Sequence, residues 1–536
     1  MSRKQHSASE FDAIVIGAGF SGLYMLYRLR ELGLSTRVYE AGEGVGGTWY
    51  WNRYPGARCD TPSIHYSYSF SPDLEQEWEW PEKYPTQPEI LRYLNHVADR
   101  FDLRRDIQFS TRVISAVYDN STNRWTIQTH QGDQASARYC ITAIGCLSAP
   151  NTPTFQGLDS FQGQVHHTAR WPSEGVDFTG KQVGIIGTGS TGIQAIPQIV
   201  KQADHVTVFQ RTPNYSIPAR NRPLTSEEKA SVKANYRKLR QTDRESPAGI
   251  TLNFHRQSAL EVTPEERQKK FDEAWAVGGT QMLSTFSDLD TNLEANTYLA
   301  DFVRSKIATI VHNSERAKLL MPHDHPIGSK RICVDTEYYE TYNRENVSLV
   351  DVRISPIEAI TPTGLRTHNG EYKLDMIVFA TGFDAMTGSL FKIDIRGKDG
   401  QALKEKWAGG PRTYLGLMTA GFPNLFIITG PGSPSVLSNM VVSIEQHVEW
   451  ITDCMKYMLE HNFARLEPHV EAEASWVAHV NEVAHLTLYP LANSWYLGAN
   501  IPGKLRVFMP YVGGVGNYRK KCQEIAEKGY EGFAFC

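Results

Sequence analysis

Two short glycine patterns are the residues of this chain whose spacing points most directly to chemistry. The first, GAGFSG, places Gly17, Gly19 and Gly22 after a short apolar segment. Gly17 permits a tight turn, Gly19 lets the backbone approach a pyrophosphate, and Gly22 lets helix and strand pack closely. The next predicted strand, Thr36 to Tyr39, ends at Glu40, an acid placed to accept a ribose hydroxyl. Because the amides of the helix N-terminus face the phosphates, the pattern predicts a dinucleotide site.

The second pattern repeats this unit but ends in a different residue type. Its turn comprises Gly187, Thr188, Gly189, Ser190, Thr191 and Gly192. Counted from the first glycine, the position of the acid is taken here by Gln210, and Arg211 and Thr212 follow. Losing a carboxylate and gaining a guanidinium favours a ribose 2′-phosphate instead of repelling it. The second site is therefore predicted to prefer NADPH over NADH.

The elements around these turns predict an α/β protein with two Rossmann-like dinucleotide-binding domains. Asp375 to Phe379 is predicted to be a strand, and Ala380 to Gly382 the turn where the chain returns to the first domain. This order resembles the layout of flavoproteins with two dinucleotide domains. The first helix is expected over about Ser21 to Leu32, and Pro197 is expected to kink or shorten the second one.

A mostly helical insertion is predicted inside the second domain. Thr225 with Glu228, and Thr263 with Glu266, fit the capping-box pattern at helix starts. The dense charge of these segments is expected to lie on solvated helix faces. The predicted division is residues 1–150 for the first part of the FAD-binding domain, 151–222 for the linker and the first part of the NADP-binding domain, 223–329 for the helical insertion, 330–380 for the second part of the NADP-binding domain, and 381–536 for the second part of the FAD-binding domain and the C-terminal region.

Composition limits the other classes of function. The net charge of -4 gives no electrostatic case for nucleic acid, and no apolar run is long enough to span a membrane. The polar start, MSRKQHSASE, lacks the apolar core of a signal peptide, so a cytoplasmic location is expected. The seven cysteines are scattered without a CxxC pair, which favours reduced thiols over disulfides or a metal site. No protein partner is indicated.

Two longer motifs carry a resemblance to a known family. FQGQVHHTARWP, with Phe161, Gly163, His167 and Trp171 between the two glycine patterns, resembles the fingerprint of type I Baeyer–Villiger monooxygenases. GGTWYWNRYPGARCD also matches that family, at Gly47, Thr48, Trp49, Tyr54 and Asp60 among others. The resemblance covers essentially the whole chain. It is strongest toward the phenylacetone, steroid and cyclohexanone monooxygenase group, as in GPGSPSVLSNMVVSIEQHVEW.

The resemblance implies a reaction and its cofactors. NADPH would reduce FAD, the reduced flavin would take up O2, and the resulting peroxyflavin would attack a ketone. The tetrahedral adduct would rearrange to an ester or lactone. Side sulfoxidation is expected. An alternative within enzymes is a heteroatom oxygenase acting on nitrogen or sulfur, although the terminal Trp171 argues against it. A catalytically silent flavin-binding protein is an alternative from another class.

The family's functional residues carry over onto matching positions. Within SKRICVD, Arg331 is implied to be the catalytic arginine and Lys330 the contact of the NADP 2′-phosphate. An arginine suits an anionic site because it stays charged at every working pH. Asp60 matches the acid beside this arginine and the flavin, where it would hold the guanidinium in position. His167 would anchor the linker between the domains, or serve only as a structural histidine.

The remaining positions leave two interpretations open. Trp49 and Tyr54 would wall the isoalloxazine ring or fill core, and Trp495 would contact NADP or pack in the core. The substrate pocket is implied to include Ser435, Val436, Leu437 and Met440.

Overall fold

The protein is described by a computed structural model that covers residues 9–536. Its first and larger sheet has eight strands, drawn from both ends of the chain. In spatial order these strands are Asp394–Arg396, Val113–Asp119, Arg124–Thr129, Gln134–Thr142, Ser9–Ile16, Thr36–Tyr39 and Ile107–Gln108, with Leu425–Ile427 also paired to Gln134–Thr142. The strand before the first glycine turn is parallel to both neighbours, as in a doubly wound sheet.

The second sheet has five strands, and all of them are parallel. In spatial order they are Val347–Asp351, His205–Gln210, Gln182–Ile186, Met376–Phe379 and Gln164–His167. Three smaller sheets contain the remaining strands of residues 9–536. One is a three-stranded antiparallel sheet of Ile357–Thr361, Gly364–Thr367 and Gly370–Lys373. The other two are two-stranded and pair Ser216–Pro218 with Cys333–Asp335 and Leu466–Pro468 with Phe533–Phe535. The predicted α/β class with two Rossmann-like units is confirmed.

The fingerprint segment contributes a strand to the second sheet. Gln164–His167 is an edge strand that pairs with Met376–Phe379. Gly163 precedes it because a side chain there would meet the Asp375 carbonyl oxygen at 2.2 Å. Trp171 is buried against Phe178. The polar residues of the strand are tolerated because it lies at the sheet edge, where its side chains stay exposed or half-buried.

Both glycine turns require glycine for steric reasons. The backbone of Gly17 has φ +107° and that of Gly187 φ +111°, a region that residues with a side chain avoid. A Cβ on Gly22 would stand 1.8 Å from the carbonyl oxygen of Gly17, and one on Gly192 would stand 2.3 Å from that of Gly187. The third glycine of each pattern thus allows the helix to cross the strand end closely.

Helices cover both sheets and form the insertion. Their bounds are Phe20–Glu31, Thr48–Trp51, Pro72–Glu77, Gln87–Arg100, Ser190–Ile199, Ser226–Glu245, Pro264–Val277, Leu293–Ile310, Ser314–Leu320, Tyr338–Thr341, Leu403–Lys406, Met440–Glu460, Val470–His485 and Val515–Glu527. Both capping boxes of the insertion form as predicted. Pro197 lies inside the helix Ser190–Ile199, which ends two residues after it. Of the two expected effects, a kink or a shortened helix, the structure shows a short helix. No helix within residues 9–536 is long and apolar enough to cross a membrane.

The insertion corrects one expectation about charge. Its helix Ser226–Glu245 was expected to present only solvated charges. Arg240 and Asp243 are instead buried on one face of it, 5% and 0% exposed, beside the buried ring of Tyr236. Residues three and four positions apart share a helix face, so these side chains form one stripe.

Candidate active site

A single cavity of about 1200 Å³ joins the two dinucleotide units. It is lined by the carboxyl ends of parallel strands in both sheets, including Ile16, Tyr39, Ile186 and Phe209. Ligands of doubly wound sheets bind at this end of the strands. Of the residues predicted to bind cofactors, all line this cavity except the packing residues Gly22 and Gly192.

The first glycine turn meets a second glycine segment face to face. A Cβ on Gly19 would lie 3.3 Å from Cα of Gly47, and a Cβ on Gly47 would lie 2.9 Å from Cα of Gly19. Gly47 also has φ +54°. A crevice walled by backbone alone fits the close approach of a pyrophosphate, which bulky side chains would prevent. The residues present therefore fit a dinucleotide at this turn.

Glu40 lies at the predicted end of the second strand and is held by backbone amides. Its carboxylate accepts hydrogen bonds from the amides of Ala18 and Gly42, each at 2.7 Å. Burial raises the pKa of Glu40, and these two hydrogen bonds partly oppose that effect. Glu40 lines the cavity, so an oxygen lone pair remains placed to accept a ribose hydroxyl.

The second dinucleotide unit places two cations at the cavity. Arg211 and Lys330 both line the cavity, and neither makes an ion pair with any residue in the described range 9–536. Burial lowers the pKa of Lys330; the carboxylate of Asp324 raises it, and the nearby charge of Arg211 lowers it further. Two neighbouring cations that form no ion pair fit a bound phosphate, which would add negative charge beside them. A Cβ on Gly189 would meet open space, unlike one on Gly19.

Arg331 and Asp60, 271 residues apart in the chain, form a two-pronged ion pair that lines the cavity. Nε of Arg331 donates to Oδ2 of Asp60 and Nη2 donates to Oδ1, each at 2.7 Å. The remaining nitrogen, Nη1, donates to the carbonyl oxygen of Val436 at 2.7 Å. The two side chains are still 33% and 19% exposed, because they face the cavity.

The pair fixes both charges. The carboxylate of Asp60 raises the pKa of Arg331 above its ordinary value. Burial alone would raise the pKa of Asp60, but the guanidinium outweighs it and holds that pKa below the usual range. The arginine therefore keeps its charge, and its orientation is set by a rigid carboxylate fork.

The predicted substrate segment divides into cavity and core. Val436 and Met440 line the cavity, whereas Ser435 and Leu437 do not. Ser435 is fully buried with φ +42°, and its hydroxyl lies 3.3 Å from the thiol of Cys146. This turn directs alternate residues away from the cavity, which the sequence alone does not reveal.

Two predicted aromatic residues have defined contacts. Trp49 is buried, lines the cavity and donates from Nε1 to the hydroxyl of Tyr66 at 3.1 Å. Tyr54 donates to Oε1 of Gln194 at 2.9 Å, which joins the first domain to the helix after the second glycine turn. Trp495 is partly buried and lines the cavity, so it does not simply fill the core.

His167 does not line the cavity but contacts two segments of the chain, at Asn151 and at Thr381. Its Nδ1 accepts from the amide of Ala169 at 3.1 Å, so Nε2 carries the proton. Nε2 lies 3.2 Å from the carbonyl oxygen of Asn151 and 3.3 Å from the hydroxyl of Thr381. Burial lowers the pKa of His167, which keeps it neutral at neutral pH. These contacts fit an anchoring role and not that of a base.

Several cavity residues were not identified from the sequence. Gln194, Tyr66, Cys59 and Cys146 line it, as does Cys333. Burial raises the pKa of Cys59 to about 12 and that of Cys333 to about 12, so these thiols stay protonated. No group of three residues that could hold a metal ion occurs in the part of the chain that the structure describes. Position after a glycine turn was the one available signal, and it pointed only to Gln194.

Comparisons with known proteins agree with this geometry. Residues 14–284 match the family described as pyridine nucleotide-disulphide oxidoreductase. A Baeyer-Villiger monooxygenase of Pseudooceanicola batsensis is 45% identical over 97% of this chain and 96% of its own. A structure of oxidized steroid monooxygenase bound to NADP is 56% identical, covers 98% of this chain and 99% of its own, and superposes with a TM-score of 0.94. A phenazine N-monooxygenase of Lysobacter antibioticus is 44% identical over 98% of this chain and 97% of its own.

The chain belongs to the type I Baeyer–Villiger monooxygenases, which are flavoproteins. It is an oxidoreductase that uses FAD and NADPH with O2 to convert ketones to esters or lactones. The name of the matched family refers to disulphide chemistry, whereas the structure shows all seven cysteines as free thiols.

Proposed function

We propose that FAD binds along the Gly17 turn and NADPH along the Gly187 turn, with Arg331 as the residue that stabilises charge during oxygen transfer. When bound, FAD takes a hydride from NADPH and activates O2. The observation that supports the proposal is the Arg331 fork: its guanidinium is held by two hydrogen bonds to Asp60 and lines the cavity that both glycine turns share.

Arg331 would act on the negative charge that develops on oxygen as the ketone is attacked. A fixed, partly buried guanidinium stabilises such a charge more than the same group in solution, because the local dielectric constant is lower than that of water. Asp60 would orient the guanidinium and compensate its charge while the site is empty of anions. Arg331 is thus the proposed catalytic residue, and Asp60 its positioning partner.

The wall beside Arg331 favours an apolar ketone. Val436, Met440 and Trp495 line the cavity and belong to or pack against one apolar cluster, which also contains Cys146. Apolar pockets with few polar groups hold hydrophobic ligands and fix them through those groups. We therefore propose a hydrophobic ketone whose carbonyl oxygen faces the guanidinium.

Nitrogen oxygenation is the second candidate, and a relative of similar identity favours keeping it. That relative is named as a phenazine N-monooxygenase. A panel of cyclic, aryl and steroidal ketones, run beside phenazine and a sulfide, separates the two activities by product analysis. Ester or lactone as the main product supports the proposal, whereas efficient N-oxide formation without ester would overturn it.

We also propose domain boundaries, partners and a location for this protein. The split at residues 150, 222, 329 and 380 accords with the two sheets, each of which draws strands from both sides of the insertion. We propose that a ketone and O2 are the only substrates besides NADPH. We further propose that the protein acts in the cytoplasm and has no nucleic acid, membrane or protein partner.

Replacing Arg211 with alanine is expected to raise KM for NADPH and leave KM for NADH little changed. A hydrogen bond between charged groups contributes ~1.5–3 kcal/mol, so the effect should be roughly tenfold or more. Steady-state kinetics with both nucleotides measure it. Lys373→Ala is the matched control, because Lys373 is an exposed cation that does not line the cavity. Equal efficiency with NADH and NADPH in the unmodified protein would refute the assignment.

A further inference from the structure

The helical insertion buries charged side chains against the segment that follows Asp60. On the helix Ser226–Glu245, Asp243 is fully buried. Its Oδ2 accepts a hydrogen bond from Nδ1 of His65 at 2.8 Å, and its Oδ1 accepts one from the hydroxyl of Thr251 at 3.1 Å. His65 is itself only 5% exposed. A buried carboxylate needs such partners, so this pair holds the two segments at a fixed distance.

Arg240 strengthens the same junction. Its Nε donates to Glu75 at 2.7 Å, its Nη1 to the carbonyl oxygen of Ile64 at 3.0 Å, and its Nη2 to the hydroxyl of Ser67 at 2.7 Å. All three nitrogens thus bond to residues 64–75. A guanidinium satisfied in three directions defines the orientation of its neighbours as well as their distance.

Asn439 extends the junction to the wall of the cavity. Its side-chain Nδ2 donates to the carbonyl oxygen of His65 at 2.6 Å, and its backbone N–H donates to the carbonyl oxygen of Ala248 at 2.8 Å. Its own Oδ1 caps the helix Met440–Glu460. Ser438, on the other side of Asn439, lines the cavity, and so does Met440. The backbone of His65 therefore helps to fix the position of Asn439, which lies between the two cavity-lining residues Ser438 and Met440.

We propose that His65 and Asp243 are positioning residues for the ketone pocket. Neither lines the cavity, so they act through Asn439 on Ser438 and Met440. The inference rests on the proposed function of the cavity as a ketone site. It gives the helical insertion a role in substrate binding, although the insertion lies outside both glycine turns.

The test uses His65→Ala, His65→Asn and the control Lys233→Gln in the full-length holoenzyme. Lys233 lies on the same helix, and its ion pair with Glu79 is exposed. For each protein we measure KM for a ketone, ester formed per NADPH, and the rate of anaerobic flavin reduction by NADPH. The first two readouts report the ketone pocket, and the third reports the nucleotide sites alone.

For His65→Ala we expect KM for the ketone to rise about tenfold and ester per NADPH to fall. Displacements of about 1 Å far from the reacting atoms can cost on the order of a hundredfold. Anaerobic reduction should stay within about twofold, which a general loss of structure would not allow. His65→Asn should restore most of the loss, because its amide can donate to Asp243 in place of Nδ1. Lys233→Gln should match the unmodified protein.

Unchanged KM and coupling in His65→Ala would overturn the inference, as would equal slowing of reduction and ester formation. If His65→Ala does not fold, Asp243→Asn replaces it; an unchanged KM in that variant would also overturn the inference. The proposed function fails separately, when the unmodified protein makes no ester from any ketone.

Discussion

Replacing Arg331 with alanine is expected to abolish ester formation while FAD stays bound and is still reduced by NADPH. The guanidinium is needed only once negative charge develops on oxygen, which follows flavin reduction. Loss of one preorganised donor lowers kcat about 10²–10³-fold, or ~3–4 kcal/mol. Stopped-flow absorbance of each half-reaction, beside product yield from a ketone, measures both effects. Reduction should slow but persist, since the Arg211 and Lys330 cations are untouched.

Lysine at this position serves as the comparison variant. Arg331→Lys keeps the charge but loses the fork that donates twice to Asp60 and once to Val436. A point charge cannot reproduce those three directions, so partial activity is expected, between alanine and arginine. Near-normal ester yield per NADPH in Arg331→Ala would show that another cation carries the role.

Replacing Gly19 with valine is expected to yield colourless protein without FAD. The Cβ alone would stand 3.3 Å from Cα of Gly47, and the two methyl groups would fill the crevice that the pyrophosphate needs. Flavin absorbance of the purified protein, together with flavin released on denaturation, measures the loss. Circular dichroism confirms that the variant is folded.

Gly189→Val is the matched control for that variant. A Cβ there meets open space, so the protein should fold and keep FAD, while KM for NADPH rises because the side chain enters the other cavity half. Full flavin content in Gly19→Val, or loss of flavin in both variants, would contradict the assignment of the first turn.

The cofactor turns were predictable because their chemistry is local. Each glycine pattern spans six residues, and the positive φ of Gly17 and the close approach of Gly22 to the Gly17 carbonyl arise within one strand-turn-helix unit. The acid at Glu40 and the capping boxes of the insertion are equally local. Short-range geometry of this kind leaves a signature in residue type and spacing.

Contacts between distant segments could not be predicted in this way. Asp60 and Arg331 are 271 residues apart, and only a family resemblance suggested that they meet. His65 and Asp243 are 178 residues apart, and no motif connected them. A charged helix with one buried stripe has the composition of a solvated helix, so the burial of Asp243 depends on the partner that tertiary structure supplies.

The edge strand and the conformation of the turn at Ser435 had no signal in the sequence, for different reasons. Gln164–His167 does not alternate apolar and polar residues, because none of its side chains is buried. The strand is held in the sheet by its pairing with Met376–Phe379. Ser435 does not line the cavity, and its backbone has φ +42°, a conformation that its residue type does not indicate. Ser435 and Leu437 were therefore placed in the pocket by their position in the sequence, and only Val436 and Met440 line it.

The central claim is that one cavity uses NADPH to insert an oxygen atom from O2 into a ketone. Its most direct test is mass spectrometry of the product formed by the unmodified protein from NADPH, an apolar ketone and ¹⁸O2. The account predicts an ester or lactone that carries one labelled oxygen atom, formed in proportion to the NADPH consumed. NADPH oxidation with no labelled ester from any ketone of the panel would contradict it.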